Sequence, residues 1–249
     1  MKYFRLLPGL FTGLACLTLA APASAALYTA DYGNQIANIS DCDDCYSSPV
    51  SLGSGQSINF FGSTYNSLYV GSNGYVTFGS GQNGFTPAAL DAQTLAPMIA
   101  GLFTDLDSRS DALSNVYVNT DLAGQIVVTW SQMGHYSQNY SVRSTFQLVI
   151  RSDQYGFDSS EGQIGFFYDT ITDASSASAG FGDGLSTVND GEVALFFGPA
   201  SGASQDDPRW FRLRDGIPDD PASVPEPGMA ALLAVGLLGL GLNRRRKQA

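Results

Sequence analysis

Three stretches of this chain carry side chains that could do chemistry. FTDLDSRSD brings Asp105, Asp107 and Asp111 into one loop, with Ser108 and Ser110 as further oxygens. Hard cations take roughly six to eight oxygen ligands, and a short acidic loop can supply several. Calcium at Asp105, Asp107 and Asp111 is the metal expectation, and DCDDC offers Asp41, Asp43 and Asp44 as a second acidic group. Arg109 occupies an alternate ligand position and Ser110 stands where an EF-hand needs glycine, so the loop is not an EF-hand. The competing reading of both groups is solvated acid that keeps strand edges soluble.

The third stretch, MGHYSQNY, holds the one histidine of the chain, His135. It lacks a nucleophile elbow or a G-x-S-x-G context, so a triad would have to be assembled from distant pieces. Paired carboxylates could serve a glycosidase, yet the only glutamates are Glu161, Glu192 and Glu226. There is no Walker A motif, and GFGDG at Gly180–Gly184 lacks the spacing of a dinucleotide fingerprint. No catalytic residue is assigned, and no cofactor is expected apart from calcium.

Cysteine and charge bound the setting. Lys2 and Arg5, the apolar run Leu6–Leu19 and Ala23-Ser24-Ala25 have the order of a secretory signal, with Ala23 and Ala25 marking a cut after Ala25. Cys16 leaves with that signal, and Cys42 and Cys45 remain as an even pair outside the cytoplasm, which points to a local disulfide. So short a loop contributes about 2 kcal/mol at most. Neighbouring Asp41, Asp43 and Asp44 disfavour the thiolate a redox site needs.

Between the two ends lie six arginines, no lysine and all 23 acids, an excess of 17 negative charges. Such a body repels phosphate backbones and anionic headgroups, which excludes nucleic acid and adsorption to membrane surfaces. Charged residues are 14% of the chain, against about 25% in an ordinary soluble domain. Hydroxyl and amide side chains supply the polarity, and 15 Phe with 12 Tyr are enough for a core.

The elements that would position these residues are strands. Phe146, Leu148 and Ile150 alternate in STFQLVIR, as do Ile126, Val128 and Trp130, and Ile164, Phe166 and Tyr168. Further strands are expected at 57–61, 68–71, 75–78, 116–119, 193–197 and 210–213, separated by Gly, Ser and Asp clusters. Asn73-Gly74 between two aromatic, β-branched runs predicts a type I′ hairpin turn. Ala88–Met98, bounded by Pro87 and Pro97, is expected to form a turn or a short helical segment. IPDDPASVPEP has no apolar face and is expected to be an extended stalk.

The ordered series Phe60-Phe61-Gly62, Tyr65, Leu68-Tyr69-Val70, Asn73-Gly74-Tyr75, Phe78-Gly79 resembles the opening of the nidogen-like (NIDO) domain. Its continuation also fits, through Ala96-Pro97, Phe103, Asp105-Leu106-Asp107, Val116-Tyr117, Thr129-Trp130, Phe146-Gln147-Leu148, Phe167-Tyr168 and Gly180-Phe181, covering about residues 50 to 182. One departure is Phe103-Thr104, where the family often has an aromatic pair. The resemblance implies an extracellular module associated with cell–matrix adhesion, and not an enzyme.

Val224-Pro225-Glu226-Pro227, an apolar run and Arg244, Arg245, Arg246 and Lys247 resemble the PEP-CTERM sorting signal of Gram-negative bacteria. That resemblance implies recognition of Pro225, Glu226 and Pro227 by an exosortase, with the four basic residues as retention charges. It also implies a setting in exopolysaccharide and biofilm. Gly228–Leu242 spans roughly 22 Å as a helix, short against a hydrocarbon core of about 30 Å. The basic cluster would hold the tail inside. The tail is a temporary anchor that works as an address.

The expectation is therefore an all-β protein, an antiparallel β-sandwich or sandwich-like domain, with a cleaved N-terminal signal helix and a short C-terminal transmembrane helix. Its parts are a signal peptide (1–25), a nidogen-like domain (26–216), a stalk (217–223) and the sorting signal (224–249) with a transmembrane helix at 228–242. The expected partners are signal peptidase and an exosortase during export, then extracellular polysaccharide or a matrix protein, with transient membrane insertion and no nucleic acid. The mature protein would work at the cell surface or outside it. The alternatives are a secreted hydrolase of matrix polysaccharide and a self-associating matrix subunit.

Overall fold

The computed structural model describes residues 27–90, 94–172, 176–185, 193–198 and 209–219. The expected signal segment and the expected sorting signal with its transmembrane helix lie outside the described residues. In chain order the strands are β1 (Asn34–Gln35), β2 (Val50–Ser51), β3 (Ile58–Phe60), β4 (Ser63–Tyr65), β5 (Ser67–Gly71), β6 (Tyr75–Thr77), β7 (Met98–Phe103) and β8 (Leu106–Asp107). They continue as β9 (Asn115–Asn119), β10 (Gln125–His135), β11 (Asn139–Arg151), β12 (Ile164–Thr170), β13 (Ala177–Gly182), β14 (Val193–Gly198), β15 (Arg209–Arg214) and β16 (Ile217–Asp219). One sheet runs β1-β9-β10-β11-β12-β15-β16 with β8 on β10, and a second runs β14-β13-β7-β6-β5-β2. β3 and β4 form a separate ribbon. Every described pairing is antiparallel, and the expected all-β class is observed.

The alternating residues read from the sequence meet in rungs. Ile126 lies opposite Ile150, Val128 opposite Leu148 and Trp130 opposite Phe146. On the next strand Ile164, Phe166 and Tyr168 stand opposite Ile150, Leu148 and Phe146. Period-2 alternation places all nine side chains on one face, and that face packs with Val70, Val76, Ile99, Leu102 and Phe181 of the second sheet. Two polar tips cross the core to join the layers: Trp130 Nε1 donates to the Gly71 carbonyl at 2.9 Å, and Tyr168 Oη donates to Gly101 at 2.8 Å. A Cβ on Gly101 would stand 3.1 Å from Leu148, so glycine lets the layers approach there.

The other face of the first sheet is also covered. Val127, Val149 and Phe167 pack with Tyr28 and Trp210. Beside them Arg151, only 1% exposed, lies 4.4 Å from the Trp210 ring and 4.9 Å from the Tyr155 ring. Its guanidinium donates to Gln125 Oε1 (2.9 Å), Glu161 Oε2 (2.8 Å), the Gly162 carbonyl (3.1 Å) and Tyr28 Oη (3.0 Å). A planar fork of five donors suits this site in a way an ammonium would not.

Two local expectations are corrected. Gly71 pairs directly with Tyr75, which leaves a three-residue loop at 72–74. Gly74 has a positive φ of 84° and Asn73 does not, so the turn is not type I′. The reason is that the Asn73 side chain is held elsewhere, as shown below. The two-residue turn that does have positive φ at both positions is Asp215-Gly216, at 53° and 84°. It folds Ile217–Asp219 back onto Arg212–Arg214, so the expected stalk begins with a sheet-edge strand; Pro218 is tolerated there because an edge position needs no donor on its open side. Of the expected turn or short helical segment Ala88–Met98, residues 91–93 lie outside the described residues, 95–97 form bends, and Met98 opens β7.

Candidate functional site

The structure separates the three aspartates of FTDLDSRSD. Asp107 lies at the end of β8 with a fully buried side chain, and Arg109 grips it from Nε (3.0 Å) and Nη2 (2.6 Å). The Arg109 and Gln138 amides donate to it as well, each at 3.0 Å. Burial pushes the Asp107 carboxyl up, but these hydrogen bonds outweigh burial and leave it below the usual carboxylate range. Asp111 is engaged by Arg143 Nη1 at 2.7 Å and by Ser114, and the Arg143 hydrogen bond leads in lowering its pKa to about 2.

Asp105 joins a different group. One carboxylate oxygen from each of Asp43, Asp44 and Asp105 lies within 4.8 Å of the others. The expected calcium ligands Asp107 and Asp111 are thus tied to arginines, and Asp105 meets acids 61 and 62 residues upstream. Burial, followed by repulsion from Asp44, Asp43 and Asp107, raises the Asp105 pKa to about 6. Burial first, then repulsion from Asp107 and Asp44, raises that of Asp43, whose Oδ2 pairs with Arg109 at 2.8 Å while its buried Oδ1 has no hydrogen-bond partner among the described residues.

The loop carrying Asp43 and Asp44 is pinned at both ends. Cys42 and Cys45 are joined by a disulfide. Ser108 Oγ donates to the Cys42 carbonyl at 2.8 Å and accepts its amide at 3.1 Å, and Ser72 Oγ accepts the Cys45 amide at 3.0 Å. Asn73 completes the frame: its Nδ2 donates to Asp44 Oδ1 (2.8 Å) and the Gly84 carbonyl (3.0 Å), while its Oδ1 accepts the Leu106 amide (2.8 Å). An asparagine chosen by sequence for its turn propensity is in fact a buried bracket between the hairpin and the acidic group.

Asp105 also lines a cleft of about 520 Å³ with His135, Phe85, Tyr136, Asn139 and Thr104. The cleft opens between two exposed rings, Phe85 and Tyr136. His135 ends β10, and burial lowers its pKa. Its Nε2 lies 3.1 Å from Ser144 Oγ. This serine–histidine contact was not legible in sequence, because a bulged register brings Ser144 of β11 beside it. Ser144 is fully buried, so its hydroxyl cannot reach a substrate as a nucleophile. The arrangement can therefore hold a cation among three carboxylates or take up a proton on Asp105. Of the glutamates weighed for glycosidase chemistry, Glu161 is bonded to Arg151, and Glu192 and Glu226 lie outside the described residues. Pro225, Glu226, Pro227 and the four tail charges lie outside them as well.

Two family models match the chain: one described as NIDO related over residues 19–195, and one described as a PEP-CTERM protein-sorting motif over residues 223–247. Nothing among curated proteins or solved structures matches it.

Proposed function

The chain belongs to the NIDO-related family and carries the sorting motif of an exported, exosortase-processed protein, and on that premise we propose that it is a non-enzymatic binding module of the extracellular matrix. The proposed role is cell–matrix adhesion or retention of the biofilm and exopolysaccharide matrix of a Gram-negative bacterium. The observation that carries this reading is the sorting motif attached to a NIDO-related β domain. The site geometry supports binding over turnover, since Ser144 is buried beneath His135 and Glu161 is paired with Arg151. After export the body is released from its transient anchor to the cell surface or the medium.

The test is incubation of the purified domain with exopolysaccharide isolated from the producing cells. Retention of the protein on the polymer without new reducing ends is the expected result. Steady release of reducing ends, abolished by substitution at Asp105 or His135, would establish a hydrolase instead.

A further inference from the structure

A second cavity, of about 410 Å³, lies away from the acidic group, between the β3–β4 ribbon, the start of β5 and Gly79. Its lining differs in kind from the rest of this acidic molecule. Ser57, Thr64, Tyr65, Asn66, Ser67 and Tyr69 supply hydroxyls, one amide and two phenol rings, and among the described residues no carboxylate, imidazole or basic group lines it. Its size falls within the roughly 300–1,000 Å³ range of small-ligand sites.

The Tyr65 ring is backed by the core, and the Tyr69 ring is met from one side. Tyr65 lies 5.1 Å from Phe78, which lies 4.9 Å from Phe60, and both phenylalanines are fully buried. Tyr69 meets the half-exposed Tyr46 edge-on at 6.2 Å. Leu68 and Val70 point into the core, so Ser67 and Tyr69 share the outer face of β5. Gly79, at φ +79°, passes the Tyr65 ring with no side chain to cover it. The Tyr65 and Tyr69 hydroxyls and the Asn66 amide hydrogen-bond to no other described residue. Rigid rings with unengaged donors and acceptors between them match a ligand that has an apolar ring face and many hydroxyls at its edge.

We infer that this cleft is a saccharide-binding subsite for a neutral polysaccharide, with Tyr65 and Tyr69 as stacking platforms and Asn66 and Ser67 as hydrogen-bonding groups. Neutrality follows from the lining and from the excess of 17 negative charges between the two ends of the chain, which repels polyanions. The inference rests on the matrix-binding reading and names where one of its ligands is held.

Affinity electrophoresis of the purified 26–223 body, in native gels cast with dextran, soluble starch, hydroxyethyl cellulose or alginate, tests it. At least one neutral polymer should retard the protein and alginate should not. Tyr69→Ala should weaken retardation about tenfold, the loss of one stacking contact. Ser67→Phe, which fills the cleft from an outward position without touching the core, should abolish it, and unchanged thermal midpoints would show both variants folded. Retardation by a neutral polymer that both variants retain would overturn this cleft while leaving matrix binding intact. Retardation by alginate alone, or by no polymer, would overturn the neutral-saccharide assignment, and the polymer-retention assay above judges the broader reading separately.

Discussion

Asn73 Nδ2 donates to Asp44 Oδ1 at 2.8 Å from a side chain that is 1% exposed, and together with Ser72 on Cys45 it ties the β5–β6 hairpin to the disulfide loop. Asn73→Asp would replace the donor with a second carboxylate in the same buried place. A loss of about 3 kcal/mol at neutral pH is expected from the stranded charge and the lost bonds. Asn73→Ala should cost about 2 kcal/mol. Urea unfolding reports both as shifts in midpoint at constant slope, and the Asp variant should recover in acid as the new carboxyl protonates.

Asp105 makes stability depend on pH in a direction opposite to most acids. Its pKa of about 6 in the fold lies above the ordinary 3.8, so the folded state takes up the proton first. Stability therefore rises as pH falls from about 6 to about 4, and the charged form destabilises the fold above that range. Asp105→Asn should raise stability at pH 7 by about 1 kcal/mol after allowance for solvent screening and should remove its share of the rise in acid, leaving that of Asp43. Both unfolding series belong in chelator, so that a bound cation does not mask the repulsion.

His135 runs the other way. Burial lowers its pKa below 6.5, so stability is lost as pH falls from 6.5 towards its folded value. In the Asp43→Asn, Asp105→Asn double variant, with both raised carboxyls removed, this loss should appear as a fall in thermal midpoint as pH drops below 6.5. A flat profile there would contradict the buried, neutral imidazole.

Arg151→Lys keeps the charge but not the planar fork over Trp210 or the bonds to Gln125, Glu161 and Tyr28 together. A loss of about 2 kcal/mol is expected. Differential scanning calorimetry should find a lower midpoint, and an unchanged one would mean that the aromatic cage does not need the guanidinium.

Ser144→Ala removes the hydroxyl next to His135 and should cost about 1 kcal/mol of stability. Retention on matrix polymer should be unaffected. Loss of a polymer-shortening activity in this variant would contradict the assignment of the pair to structure.

The strands most legible in sequence were those with one face in the core, such as Ile126-Val128-Trp130. Met98–Phe103 and Ala177–Gly182 were missed because every residue in them is buried, which erases alternation. Tyr75, Leu90, Met98, Ala100 and Phe103 form a second small core on the outer side of β7, and no local pattern announces such a cover. Acidic groups were found as two separate loops, DCDDC and FTDLDSRSD. That Asp105 deserts its own loop for Asp43 and Asp44 depends on which acids arginine captures: Asp107 by Arg109 and Asp111 by Arg143. The Asp111–Arg143 pairing is tertiary, and although Asp107 and Arg109 stand only two residues apart, their spacing does not say which acid the arginine takes. The tyrosine cleft was likewise invisible, because Tyr69 reads only as part of a strand and Tyr65 only within the NIDO-like series.

The most direct test of an exported matrix-binding module is fractionation of the producing cells, with mass spectrometry of the protein recovered from each fraction. The expected result is a chain beginning after Ala25, ending near Pro225-Glu226-Pro227, and enriched in the polymer matrix. A full-length chain with Arg244–Lys247 still attached in the inner membrane, and none in the matrix, would contradict it.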